Sequence, residues 1–197
     1  MFKDFNTSSF KNMKPPGDNT FDTSQEVKAL KKIPLKKEFV KKFDNIESAF
    51  AKTAKDNNIE DYDKKIPAKL IKESAPIILE LKKHFNRPRP KVLAKKMNIK
   101  MKDYEMESMK TPSYPSGHSV QGILIAKVLG DKHPKAKSAF AKTGENISYS
   151  RRVAHAHYKS DSKMGKKLGN SMYKHIKNKI YNEKSTCKNE ESTNENG

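Results

Sequence analysis

The chain has 197 residues, 42 of them Lys or Arg against 23 Asp or Glu, for a formal charge of +19. That length supports one domain with a real core, and the single cysteine, Cys187, excludes an internal disulfide. The longest apolar runs, around Pro76–Leu81 and Gly122–Leu129, are too short to cross a bilayer, which excludes an integral membrane protein built on helices. Abundant Lys, Ala, Leu and Met with 8 Gly and no Trp favour an all-α chain. The excess charge suits an anionic partner (nucleic acid, an acidic lipid surface or a phosphorylated substrate) or plain solvated lysine faces, and it does not choose among them. The N-terminus, MFKDFNTSSFKNMKPPGDN, has no apolar stretch leading to a small-residue cleavage site, so a cytoplasmic protein is expected.

In chain order, residues 1–27 read as a polar arm with no core of its own, broken by Pro15, Pro16 and Gly17, with Phe2, Phe5, Phe10 and Phe21 available to pin it to the body or to a partner. From Lys36 to Lys55, Phe39, Val40, Phe43, Ile46, Phe50 and Ala54 recur at helical spacing and predict one core-facing helix. After a charged connector, Pro67 suits a first helical turn, and Leu70, Ile71, Ile77, Ile78 and Leu81 continue a buried helix that must stop before Pro88 and Pro90. Lys91–Thr111 reads as a loop with at most one short helix. Ser116 reads as the N-cap of a helix over Gly117–Gly130 with Val120, Ile123, Leu124 and Val128 inward. Pro134 opens the next helix, where Phe140, Gly144, Ile147 and Arg151 fall on one face at spacings of 4, 3 and 4. Arg151 is thereby carried to the edge of the apolar face, away from solvent, and needs an anionic partner. The last helix, from about Ser160 to Ile180, stacks Met164, Leu168, Met172 and Ile176 inward, with Gly165 and Gly169 allowing close backbone approach. Residues 184–197 read as a disordered acidic tail, leaving a helical domain over 28–183.

Three clusters carry chemistry. In SRRVAHAHYKSD, residues 150–161, His157 can act as a nucleophile, since an imidazole titrates near ~6.5. Asp161, four residues on, can hold one ring nitrogen as N–H and leave the other free, while Arg151 offers a cationic fork to an oxyanion. In Pro115-Ser116-Gly117-His118, the serine hydroxyl and the free N–H groups of a helix start can cradle an anion, with His118 beside it as a general acid. Lys82 and Arg89 can bracket a tetrahedral anion from two directions. Each cluster alone also fits a bland reading: a polar turn, an ordinary cap, a solvated lysine face.

Together, Lys, six residues, Arg-Pro; then Pro-Ser-Gly-His; then Ser-Arg, five residues, His, three residues, Asp, resemble the three-part signature of the type 2 phosphatidic acid phosphatase (PAP2) superfamily. The resemblance covers roughly Ala68 to Ile180 and is strongest, in SYPSGHSVQGILIAKVL, to the class A non-specific acid phosphatases. It implies a compact single-domain helical bundle and a phosphatase that hydrolyses phosphate monoesters through a phosphohistidine. Lys82, Arg89, Ser116, Gly117 and Arg151 would hold the phosphoryl oxygens and stabilise the transition state. His157 would attack phosphorus, Asp161 would fix its tautomer, and His118 would protonate the leaving alcohol and then assist water. No metal or other cofactor is implied, the lysine and arginines supplying charge neutralisation. The partner expected is a phosphorylated small molecule. Nucleic acid is not required, peripheral contact with an anionic membrane is compatible with the charge, and a homo-oligomer stays open.

The chain departs from the family pattern at His155-Ala156, where Gly-Val is common, so that His155 reads as a tolerated loop residue, a base behind the site or a substrate contact. A metal site on His155, His157 and Asp161 is set aside because no further ligand cluster accompanies it. Two other readings remain. One is a vanadium-dependent haloperoxidase, with vanadate on His157. The other is a basic nucleic-acid or membrane-surface binding module with an inactive site.

Overall fold

The structure, a computed structural model, describes the backbone of residues 1–191 and the side chains of residues 1–177. Among the described residues the secondary structure is helical, without strands, as the composition suggests. In chain order the helices are α1 (Ser8–Lys11), α2 (Phe21–Lys31), α3 (Lys37–Asp44), α4 (Ile46–Asp56), α5 (Lys65–Phe85), α6 (Pro90–Lys96), α7 (Gly117–Lys132), α8 (Lys137–Val153) and α9 (Lys159–Glu191), with 3₁₀ turns at Glu107–Lys110 and Pro134–Ala136.

The bundle is organised around α7. Val120, Ile123, Leu124, Ile125, Ala126 and Leu129 are all buried, so this helix is apolar nearly all round rather than along one stripe. Its neighbours are α8, α9 and α5. Two of these contacts are made backbone to backbone. A Cβ on Gly144 of α8 would sit 2.6 Å from the Gly122 carbonyl oxygen of α7. On α9, a Cβ on Gly165 would sit 2.6 Å from the Ser116 carbonyl oxygen, and one on Gly169 would sit 2.5 Å from that of Val120. The glycines therefore bring α8 and α9 against α7 at a separation that any side chain would forbid. The faces expected of α8 and α9 are the ones buried: Phe140, Ile147 and Arg151, then Met164, Leu168, Met172 and Ile176.

Two local expectations change. The helix expected over Lys36–Lys55 is two helices, α3 and α4, broken at Asn45. Asn45 has ψ near 104°, and its side-chain oxygen accepts the Ser48 N–H, so it caps α4. The apolar spacing runs through the break because Phe43, Ile46 and Phe50 face the same core on both sides of it. The polar N-terminal stretch forms α1 and α2, and Phe2 and Phe10 are buried in the main core with Phe5 packed against it, whereas Phe21 is exposed. Each such burial contributes about 2 kcal/mol, which favours docking of a segment too polar to form a core alone. Pro90 opens α6, so the Lys91–Thr111 stretch holds the rest of that helix and one 3₁₀ turn. Helix α9 continues through Glu191 and so takes in residues 184–191 of the expected tail; the side chains from 178 and all of residues 192–197, the rest of that tail, lie outside the described residues.

Candidate active site

The site lies where the end of α5, the α5–α6 connection, the starts of α7 and α9 and the end of α8 meet. His157 sits in the turn between α8 and α9 and is 3% exposed. Asp161, in the first turn of α9, is fully buried, and its Oδ2 lies 3.1 Å from His157 Nδ1. On the other side of the ring, Arg89 Nη1 lies 3.0 Å from His157 Nε2. A carboxylate can only accept and a guanidinium can only donate, so Nδ1 carries the hydrogen and Nε2 presents its lone pair. Burial, followed by Arg89, Lys82, Arg151 and His118, holds His157 well below its ordinary proton affinity, so its free nitrogen is unprotonated. Those same four side chains come from the α5–α6 connection, α5, α8 and α7, so the structure brings the three sequence clusters to one point.

The cations are held in aim largely by main-chain carbonyls. Lys82 is 5% exposed and donates to the Pro112 carbonyl. Arg89 donates from Nε to the Thr111 carbonyl at 2.9 Å, from Nη2 to that of Ser108 at 2.9 Å and from Nη1 to that of Ala156 at 2.9 Å. Burial, then Arg89, pushes Lys82 down to about 7. Burial also brings Arg89 down to about 10, with Arg151 adding to it and Asp161 opposing it. These are the shifts expected of like charges gathered in a dry pocket, and an arriving oxyanion would reverse them.

Arg151, fully buried on α8, has the acidic partner its position demanded. Its Nη1 lies 2.6 Å from Asp44 Oδ1, and its Nη2 donates to Ser108 Oγ at 2.8 Å. Asp44 ends α3, beside the break at Asn45, and its carbonyl oxygen lies 3.0 Å from His118 Nε2. Burial and Arg151 push His118 down to about 3. Ser116 caps α7: its Oγ accepts from the Ser119 N–H and Oγ, and its own N–H donates to the Asp161 carbonyl at 3.1 Å. Gly117 is the first residue of α7, directly before His118. A cavity of about 550 Å³ opens beside Arg89, with Val92, Asp103, Met106 and Met109 in its wall.

His155 turns away from this centre. It holds a left-handed backbone, φ 55°, and its ring nitrogens face the carbonyls of Lys102 (Nδ1, 2.5 Å) and Ile33 (Nε2, 2.8 Å). Its ring ties the turn that carries His157 to two other loops and does not join His157 in a ligand pair. Sequence reasoning missed three charged residues at the site: Asp44, Arg87 and Glu26. In a chain with 33% charged residues none of them stands out, although the buried fate of Arg151 announced that some acid must meet it.

Comparison with known proteins bears on the same residues. Non-specific acid phosphatases of Salmonella typhimurium (strain LT2) and Salmonella typhi are 36% and 35% identical to this chain over 88 residues, which is 45% of this chain and 35% of each of theirs. The chain thus spans about a third of the length of the curated relatives it matches. A crystal structure of a transmembrane PAP2-type phosphatidylglycerolphosphate phosphatase from Bacillus subtilis has a TM-score of 0.57, covering 93% of this chain and 98% of that one at 18% identity, so the two share a fold. Among the described residues no helix is long and apolar enough to cross a membrane. The profile of the PAP2 superfamily matches residues 70–183, more than half of the chain and the whole of its three-part signature, and the chain belongs to that superfamily.

Proposed function

We propose that the chain hydrolyses phosphate monoesters through a phosphohistidine on His157, without a metal. The observation that carries this is the setting of one imidazole: Asp161 on Nδ1, a lone pair on Nε2, and Lys82, Arg89 and Arg151 around it. The phosphoryl group takes the place opposite Nε2, where Arg89 now donates, and its oxygens are held by Lys82, Arg89 and Arg151 and by the Ser116–Gly117 start of α7. Nε2 forms a bond to phosphorus as the ester P–O bond breaks, and His118 gives its proton to the departing alcohol, which leaves through the cavity beside Arg89. In the empty site His118 is neutral; the negative phosphoryl group restores its proton, so the acid is charged when it is needed. Water then attacks phosphorus, His118 takes its proton, the N–P bond breaks, and phosphate is released. The cations neutralise the charge that grows in each transition state, usually the largest catalytic term.

The test is turnover of an aryl phosphate by wild type and by His157→Ala. The variant should keep its circular dichroism and melting temperature and lose at least a thousandfold in kcat. Undiminished activity in a folded His157→Ala protein would sink the assignment. Chelators should leave the wild-type rate unchanged and vanadate should inhibit it, since vanadate adopts the five-coordinate geometry of the transition state.

A further inference from the structure

Behind the carboxylate that supports His157 lies a second ion pair, a buried arginine with a half-buried glutamate, that the reaction above does not use. Arg87, in the α5–α6 connection, is 2% exposed. Its Nη1 donates to Asp161 Oδ1 and to Ser160 Oγ, both at 2.7 Å, and its Nη2 donates to Glu26 Oε2 at 3.0 Å. Its guanidinium carbon lies 3.9 Å from the centre of the Tyr158 ring. Glu26 comes from α2, outside the stretch that matches the superfamily. It accepts the Ser160 N–H at 2.7 Å and the Ser160 hydroxyl at 2.6 Å, so α2 is fastened to the same turn of α9 that carries Asp161.

Asp161 is therefore shared. Oδ1 serves Arg87, while Oδ2 accepts from His157 Nδ1, from the Tyr158 N–H at 3.0 Å and from the Ser113 hydroxyl. The groups facing the His157 ring are Arg89, Lys82, Arg151 and His118, with Asp161 as the acid on its Nδ1 side. A lone buried carboxylate there would favour the imidazolium, which cannot attack phosphorus. A guanidinium on the far side of that carboxylate draws on its charge and weakens its hold on a ring proton, and an acid behind the guanidinium moderates that effect.

We propose that Arg87 and Glu26 form a positioning pair that sets the proton affinity of His157 through Asp161, Arg87 lowering it and Glu26 raising it. The proposal rests on the reading of His157 as the nucleophile. It assigns α2 a part in the chemistry, since its carboxylate is the outer end of the chain Glu26–Arg87–Asp161–His157. Neither residue touches substrate; both act through Asp161.

The test is the pH profile of kcat/KM for one aryl phosphate in wild type, Arg87→Gln and Glu26→Gln, so that ionisation of the substrate cancels between proteins. Arg87→Gln leaves Asp161 uncompensated, and its acidic limb should move to higher pH by about one unit. Glu26→Gln frees the full charge of Arg87 for Asp161, and its limb should move the other way, by about half a unit. Opposite shifts are what a merely structural pair cannot produce: loss of packing would lower the rate without moving the limb, or move both limbs in one direction, and either result overturns the proposal. Should Arg87→Gln fail to fold, Glu26→Gln decides alone, and an unmoved or upward limb refutes the pairing. Should the wild type turn over no phosphate ester, the functional reading fails by itself. The pair is then judged by the nitrogen-15 titration of the His157 ring, which must occur at lower pH in Glu26→Gln than in wild type.

Discussion

Sulfate binding as a function of pH probes the electrostatics of the site without any need for turnover. Burial, and after it the charge of Arg89, push Lys82 down to about 7, with Asp161 opposing and Arg151 adding to the shift. Sulfate remains a dianion across the neutral range, so the protons that change are those of Lys82 and His118, and only Lys82 crosses from charged to neutral near pH 7 in the free site. The folded-state pKa is depressed, which means that Lys82 is charged below about pH 7 and already poised for an anion. Above that pH it is neutral, and sulfate must bring a proton with it. Above about pH 7 the affinity should fall about tenfold per unit more steeply than it does below that pH, proton uptake at His118 adding the same slope on both sides. By about pH 8.5 the extra loss amounts to roughly thirtyfold, or ~2 kcal/mol. Isothermal titration calorimetry in buffers of different ionisation heat measures both the affinity and the proton taken up. Lys82→Arg keeps a charge at all these pH values, so its profile should lack the extra decline above pH 7 and keep only the slope that His118 gives both proteins. Profiles that decline equally in the two proteins, or that are flat in both, would refute the assignment of Lys82 as the titrating cation of the anion pocket.

Two further outcomes follow from geometry. Arg89→Lys removes a fork that reaches three carbonyls and His157 at once, and an ammonium cannot replace it; KM for an aryl phosphate should rise by about ten- to a hundredfold, read from initial rates, with the melting temperature close to wild type. Gly169→Ala would drive a Cβ to 2.5 Å from the Val120 carbonyl oxygen, and urea unfolding should show a loss of about 1–3 kcal/mol as α9 is pushed off α7.

The sequence carried the fold class, the buried faces of α8 and α9, the cap at Ser116 and the membership of all three clusters in one site. Each of these leaves a periodic or spaced trace: Phe140, Gly144, Ile147 and Arg151 at helical intervals, or Lys82, His118 and His157 in motifs of fixed length. What the sequence did not disclose lacks such a trace. The break at Asn45 preserves the phase of Phe43, Ile46 and Phe50, so periodicity runs straight across it. Asp44, Glu26 and Arg87 are solitary charges among many, and what marks them is a long-range partner: Arg151 for the first, Asp161 and Ser160 for the others. Polar composition at the N-terminus suggested an accessory arm, yet two buried phenylalanines and one glutamate make that region part of the core and of the site's outer support.

The stretch Ser108–Pro112 has a wider consequence. Its carbonyls, and not acidic side chains, orient Lys82 and much of Arg89. A carbonyl aligns a cation without cancelling its charge, so the pocket keeps its pull on oxyanions and no internal counter-ion has to be evicted from these two residues when one arrives. Selection acting on this loop would then register in main-chain shape more than in side-chain identity, because a single distorted peptide plane there would mis-aim both positive groups together.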